Sequence, residues 1–272
     1  MKNKLKPINS VYQKRWQKIK EIIQKEKLLI HQIGNDVTLN DCASIILNWG
    51  ALPVMAYSSE EVSEIVINAS ALVLNIGTLT EMRLSSMLAA GKKANQFGIP
   101  IILDPVGVGA SEYRTRSAEK ITEELNISII KGNEGEISAL AGEDAEIKGV
   151  ESIGNYAQIR TTVQKLAAEL NTIVVVSSEI DVISNGKTTQ KITGGSSLMK
   201  ELVGTGCMLA STLGVFAGAA GKSDFSIFEL AETAVYYYNL AAEIAAKKEL
   251  TPAKFKIEFM DNIYLLQNGC LI

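Results

Sequence analysis

The sequence predicts an α/β protein built on a mainly parallel sheet with helices packed on both faces. Three observations carry that prediction. Apolar strand-like runs alternate with helical periodicity along nearly the whole chain, the pattern of βα units. Ala71 to Ile76 and Ile101 to Leu103 are apolar on both faces, as in central parallel strands covered from either side. The polar residues that interrupt the pattern cluster just after such runs: Asn35-Asp36, Asn75 to Gly77, Asp104, Lys131 to Glu136 and Ser177 to Glu179. In open α/β sheets the carboxyl ends of the strands are where ligands bind.

The elements follow in order. Val11 to Lys25 sets Trp16, Ile19, Ile22 and Ile23 on one face among Lys and Gln, an amphipathic helix. Leu28 to Ile33 is a short buried strand ending at Gly34-Asn35-Asp36. Thr38 or Asn40 can cap the helix from Leu39 to Trp49. Leu52 to Ala56 reads as a strand, Pro53 lying near its start, where a missing N–H is tolerated. A helix from Ser58 to Ala69 precedes the strand through Ile76, and another from Thr80 to Gln96 precedes Ile101 to Leu103. The glycine-rich Asp104 to Ala110 is a loop, followed by a helix from Thr115 to Leu125, the strand Ile127 to Ile130 and a helix ending at Ala141.

Glu143 to Gly154 lacks periodicity and reads as a surface loop, and Tyr156 to Leu170 as a helix. Thr172 to Ser177 and Asp181 to Ser184 are strands, and Asn185-Gly186 is a hairpin turn leading into the alternating Thr188 to Ile192. Three more helices follow: Met208 to Ala220, Ser226 to Lys247 and Pro252 to Leu266. With no linker-like segment and no internal repeat, residues 1–272 read as one domain, with 1–27 a helical extension.

Composition narrows the function classes. The 27 basic and 30 acidic side chains give a net charge of −3 with no long basic block, which argues against nucleic acid and anionic membranes as partners. The cysteines, Cys42, Cys207 and Cys270, are odd in number and far apart, so they form neither a disulfide framework nor a zinc site. Reduced thiols, and an N-terminus with no apolar core of a secretory signal, predict a cytoplasmic protein.

The stretch with most chemical promise is Val203-Gly204-Thr205-Gly206-Cys207, set at the head of a small-residue apolar run. Two glycines let the chain turn tightly, and a helix beginning there adds unpaired N–H groups and the positive end of its dipole. That combination suits an anion, phosphate above all; a G-x-G alone equally closes an ordinary turn. Asp104 and Glu136 follow neighbouring strands and can hold Mg²⁺ through water and phosphate oxygens, or serve as a turn-former and a helix-dipole partner. Lys131 can meet a phosphate or be solvated, and Asn133 can cap a helix or touch a ligand. Met55 stands at a strand end, as pocket wall or core filler. His31, the only histidine, reads as a hydrogen-bonded core or rim residue. Cys207 at a helix N-terminus is expected to have a lowered pKa, unless it only fills a close-packed turn.

Five stretches in this order and spacing carry a family resemblance: Pro53-Val54-Met55-Ala56-Tyr57, Leu72-Val73-Leu74-Asn75-Ile76-Gly77-Thr78, Ile102-Leu103-Asp104-Pro105-Val106-Gly107-Val108-Gly109-Ala110, Lys131-Gly132-Asn133-Glu134-Gly135-Glu136-Ile137 and Gly204-Thr205-Gly206-Cys207. From about Leu28 to Leu266 the chain resembles the hydroxyethylthiazole kinases of the ribokinase-like superfamily. The resemblance implies a three-layer ribokinase-like fold and ATP- and Mg²⁺-dependent phosphorylation of 4-methyl-5-(2-hydroxyethyl)thiazole in thiamine salvage. It also implies a homotrimer with active sites between subunits.

By the same resemblance Met55 and Gly204 contact the thiazole, with Asn35 and Val37 beside it. Lys131, Asn133 and Ser177 fall toward ATP, and Asp104 with Glu136 toward metal and phosphate. Gly204, Thr205, Gly206 and Cys207 form the anion hole, Cys207 standing where most of the superfamily has an Asp base. The chain departs from the family pattern in four places: Lys131 for Arg, Ser177 for Thr, Val203 for Thr, and Gly34-Asn35-Asp36 for Thr-Asn-Asn. The third residue of that last triplet brings a carboxylate toward the thiazole pocket. A kinase for another small alcohol, such as hydroxymethylpyrimidine, and a non-catalytic binder that kept the fold remain alternatives on these residues.

Overall fold

The computed structural model describes residues 9–143, 155–248 and 251–270. Its framework is an eight-stranded sheet in the order β2-β1-β3-β4-β5-β6-β7-β8. The strands are β1 (Leu29–Ile33), β2 (Leu52–Val54), β3 (Ala71–Asn75), β4 (Ile101–Asp104), β5 (Ile129–Gly132), β6 (Ile173–Val176), β7 (Ile180–Ser184) and β8 (Thr189–Thr193). All neighbours from β2 to β6 pair parallel; β7 and β8 add antiparallel, through the hairpin at Asn185-Gly186.

Alternation along each strand divides two cores. Ala71 and Val73 of β3, with Ile173 and Val175 of β6, face one side; Leu72, Leu74, Val174 and Val176 face the other. The first side is covered by α1 (Ser10–Glu26), α2 (Leu39–Asn48), α8 (Thr205–Ala217), α9 (Ile227–Ala245) and α10 (Pro252–Gln267). The second is covered by α3 (Val62–Val66), α4 (Glu81–Gln96), α5 (Glu112–Glu124), α6 (Glu134–Leu140) and α7 (Asn155–Glu169). This is the three-layer arrangement the alternating pattern predicts. Helix α1 buries Trp16 against Trp49, Phe216 and Tyr237, so this predicted extension covers the chain's own core. Among the described residues no helix is long and apolar enough to cross a membrane.

Several expectations shift. The helix expected from Ser58 to Ala69 shrinks to Val62–Val66, the part whose Val62 and Val66 are buried. Helix α5 starts at Glu112 rather than Thr115, because Ser111 caps it by accepting from the Arg114 N–H. Strand β2 stops at Val54, not Ala56; the Ala56 carbonyl is 2.8 Å from His31 Nε2 instead. Strand β5 runs two residues later than expected and includes Lys131. A 3-10 turn at Ser197–Glu201 was not predicted. Of the expected surface loop, residues 144–154 lie outside the described residues.

Candidate active site

Sheet register assembles the site. Asn75 of β3 pairs across from Asp104 of β4, and Lys131 of β5 stands on the next rung, one residue after the Leu103–Ile130 pair. Each lies two residues beyond a core residue, Val73, Ile102 or Ile129, that faces α8. The two-residue period of a strand therefore turns all three side chains toward the start of α8. All three are buried, and a buried polar group needs partners.

They find them in one another. Asn75 Nδ2 donates to Asp104 Oδ2 at 2.5 Å, and Lys131 Nζ to Asp104 Oδ1 at 3.3 Å. Asn35 Nδ2 donates to Asn75 Oδ1 at 2.8 Å and reaches Cys207 Sγ at 3.4 Å. Asn35 Oδ1 accepts from the N–H groups of Val37 and Thr38 and from the Thr38 hydroxyl. A chain of polar contacts thus runs from Cys207 through Asn35, Asn75 and Asp104 to Lys131, and Lys131 comes back beneath the glycine loop. A methyl group added at Gly206 would stand 2.8 Å from Lys131 Nζ.

The loop itself is held in place. Gly204 has φ +93°, a left-handed conformation, and a Cβ there would meet Thr38 Cγ2 at 2.7 Å; both facts call for glycine. Tyr238 Oη donates to the Thr205 carbonyl at 2.6 Å, and Thr205 Oγ1 donates to the Met199 carbonyl. The N–H groups of Thr205, Gly206 and Cys207 have no protein partner among the described residues, since the first intrahelical bond runs from Met208 to Gly204. Three free amides at a helix start, with an ammonium beside them, are an arrangement suited to an anion.

Electrostatics sharpen its chemistry. Burial pushes the Asp104 carboxyl up, and the Lys131 charge opposes that push. Burial alone would lower Lys131, but the carboxylates of Asp104 and Glu136 outweigh it and keep the ammonium charged. Burial, and then the Asp104 carboxylate, push the Cys207 thiol up to about 11. The expectation of a lowered pKa is corrected: loss of water outweighs the helix terminus, and Cys207 is a neutral thiol at neutral pH.

Glu136 is spoken for as well. Its Oε2 accepts from the Asn133 N–H while Asn133 Oδ1 accepts from the Glu136 N–H, a capping box for α6. Its Oε1 accepts from Gly107 N–H, tying down the loop after β4. With the Asp104 oxygens also engaged, neither carboxylate presents a bare ligand. No cluster of three or more metal-ligating side chains occurs among the described residues. A Mg²⁺ ion that keeps its waters and uses phosphate oxygens still fits, because each carboxylate oxygen retains a lone pair.

Beside the loop opens a cleft of about 670 Å³ whose lining includes Asn133, Ser177, Thr205 and Gly206, all singled out from sequence. It also includes Asp181 and Asn239, which sequence reasoning missed. Met55 is half-buried against the core on the α8 side, and Val37 is 67% exposed. Asp36 does not stand as a free carboxylate at the pocket. Arg83 clamps it with two hydrogen bonds, at 2.9 and 3.3 Å, and holds it below the usual carboxylate range. The Arg83 guanidinium also lies 4.8 Å from the centre of the Tyr57 ring, so it fastens the loop after β1 to the segment after β2. Arg114, likewise unsuspected, ties Gly77 to Val106 through their carbonyls.

Comparison with known proteins gives the family and the fold. A sequence profile of the hydroxyethylthiazole kinase family matches residues 19–269. The chain is 46% identical over 248 residues to a hydroxyethylthiazole kinase from Thermoanaerobacter sp. (strain X514), covering 90% of this chain and 93% of that one. The structure of a hydroxyethylthiazole kinase protein from Pyrococcus horikoshii OT3 superposes with a TM-score of 0.83 at 34% identity, covering 92% of this chain and 93% of that one. A ribokinase-like superfamily protein from Enterococcus faecalis V583 shares the fold, with a TM-score of 0.66 at 15% identity over 92% of this chain and 94% of that one. The chain belongs to the hydroxyethylthiazole kinase family.

Proposed function

We propose that this chain transfers the γ-phosphoryl group of ATP to the hydroxyl of 4-methyl-5-(2-hydroxyethyl)thiazole, a thiamine-salvage reaction. The observation that carries this reading is Lys131, charged and buried, set under the free amides that open α8 at the edge of the cleft. Phosphoryl transfer asks chiefly for positioning and charge neutralisation. Asn133 and Ser177 line the cleft where the nucleotide lies. The amides of Thr205, Gly206 and Cys207 take the charge that develops on the transferred group, and Lys131 adds a fixed positive charge. Mg²⁺ carried in with the nucleotide supplies further neutralisation of phosphoryl oxygens. Asp104 and Glu136 would hold it through water, since each of their oxygens accepts a protein hydrogen bond and retains a lone pair for a water ligand.

Cys207 stays protonated, so it takes no proton from the alcohol. Its role is to accept from Asn35 and hold the loop after β1 against α8. The alcohol sits between Met55, Gly204 and the Asn35–Val37 loop, whose position Arg83 secures. Val37 and Val203 are 67% and 70% exposed, apolar surface on the loops that flank the site, and support assembly into a homotrimer whose subunits meet there; light scattering after gel filtration tests that state. The activity test is incubation with ATP, Mg²⁺ and a panel of thiazole and pyrimidine alcohols. Phosphorylation of the thiazole alcohol is expected. Product from hydroxymethylpyrimidine alone, or none from either, would overturn the reading.

A further inference from the structure

The far end of the cleft holds a polar pair that the phosphate chemistry does not use. Asp181 lies on β7 and Asn239 on α9, and the two residues are 5% and 6% exposed. Asp181 Oδ1 accepts from the Ser178 N–H at 3.0 Å, and Oδ2 accepts from Asn239 Nδ2 at 2.6 Å. An ionised carboxylate only accepts, so it fixes which way the Asn239 amide is turned. The carbonyl oxygen must point away from Asp181, toward Gly195, another lining residue: a methyl group added at Gly195 would stand 3.5 Å from Asn239 Oδ1. That oxygen has no hydrogen-bond partner among the described residues and is not among the buried atoms left without one. It is an acceptor on a nearly buried side chain, open to the cleft.

We infer that Asn239, oriented by Asp181, reads the nucleoside: its carbonyl oxygen accepts a hydrogen bond from an N–H or O–H donor on the bound nucleotide. This inference rests on the reading of the cleft as a nucleotide site. The donor is a base amino group or a ribose hydroxyl, and both present the same chemistry to Asn239. A carboxylate is the right partner for the task. A neutral partner able to both donate and accept would let the amide turn over and offer its NH₂ instead.

The test uses the full chain, with steady-state kinetics and calorimetric binding of ADP. The nucleotides are ATP, inosine triphosphate (oxygen replacing the base amino group) and the 2′- and 3′-deoxy forms of ATP. Asn239→Leu keeps the branching and heavy-atom count of the side chain and removes the acceptor. It is expected to raise KM for ATP and Kd for ADP about three- to tenfold, the range of one hydrogen bond, with KM for the thiazole alcohol within twofold. The analogue lacking the relevant donor should be a poorer substrate for the native enzyme, and that gap should close in Asn239→Leu. Asp181→Asn retains the packing but requires the Asn239 amide to turn, so it should raise KM for ATP as well.

If both variants fold and keep KM for ATP within twofold, or if the analogue gaps persist in Asn239→Leu, the inference is overturned. Lys131→Met separates the two levels of reading. If it impairs ATP use while the Asn239 and Asp181 variants do not, only the nucleoside contact fails. If Lys131→Met leaves ATP use untouched, the nucleotide reading of the cleft fails with it.

Discussion

Asp181→Asn should make the protein more stable at neutral pH and less so at acid pH, and the size of the effect follows from the site. Burial raises the Asp181 carboxyl from 3.8 to about 6, with Asn239 and the Ser178 N–H pulling the other way. A carboxyl whose folded pKa lies above its unfolded value favours the folded state when protonated. That advantage is complete below the unfolded pKa and is lost as pH rises through the folded one. At about 1.36 kcal/mol per pH unit, the ionised carboxylate therefore costs the fold about 3 kcal/mol at pH 7 and about half that at pH 5.

An Asn at 181 carries no such cost. Its Oδ1 can still accept from Ser178, and its Nδ2 can donate to Asn239 once that amide turns, so neither hydrogen bond is lost. Urea denaturation of native and variant protein at pH 7 and pH 4.5 measures the difference directly. Comparing the pair cancels the other titrating groups, including Asp36, which Arg83 holds low. We expect the variant to gain about 2–3 kcal/mol at pH 7, shrinking to below about 1 kcal/mol at pH 4.5 as the native carboxyl takes up its proton. Equal effects at the two pH values, or a loss at pH 7, would refute the electrostatic reasoning. Gained stability together with weakened nucleotide use would mark this pair as a place where function is maintained against stability.

The remaining predictions concern the glycine loop and its supports. Gly206→Ala places a methyl 2.8 Å from Lys131 Nζ; we expect kcat/KM to fall about tenfold or more through loss of positioned charge, with thermal melting changed by no more than a few degrees. Gly204→Val should lose both activity and stability, because φ is +93° there and Thr38 occupies the space; a variant that melts with the native protein would contradict this. Cys207→Ala should keep activity within about tenfold, short of what a general base contributes, and its pH–rate profile should lose no ionisation near neutrality. Arg83→Met frees the loop after β1, and a rise in KM for the thiazole alcohol without a rise in KM for ATP is the expected kinetic signature.

Much of the site was legible because strands write their faces into the sequence. Asn75, Asp104, Lys131 and Ser177 each follow by two residues a buried residue on the α8 side: Val73, Ile102, Ile129 and Val175. The two-residue period alone puts all four on one face, and the G-x-G with its following apolar run marks the helix that comes down on them. What escaped is what depends on pairs distant in sequence. Arg83 in an amphipathic helix looks like any solvated cation, and its partner Asp36 lies 47 residues away. Asp181 and Asn239 are 58 residues apart, and only the packing of α9 across β7 brings them together. Asn239 did leave a trace, as a polar residue in the otherwise apolar middle of α9, between Tyr238 and Leu240.

The Cys207 misreading shows why the same local motif can support opposite chemistry. A thiol at a helix N-terminus becomes reactive when the terminus is wet and the charge around it is positive. Here the first turn of α8 lies on a buried polar chain, with Asp104 close enough to repel a thiolate and Asn35 placed to donate to the sulfur. The positive groups are arranged the other way: the amides of Thr205 and Gly206 open on the cleft with the buried Lys131 ammonium beneath them, while the Cys207 sulfur is neutral. A site arranged that way stabilises charge on an incoming group rather than on its own side chain. Loose, metaphosphate-like transfer calls for that division, because the alcohol proton leaves late and little is gained from a strong base.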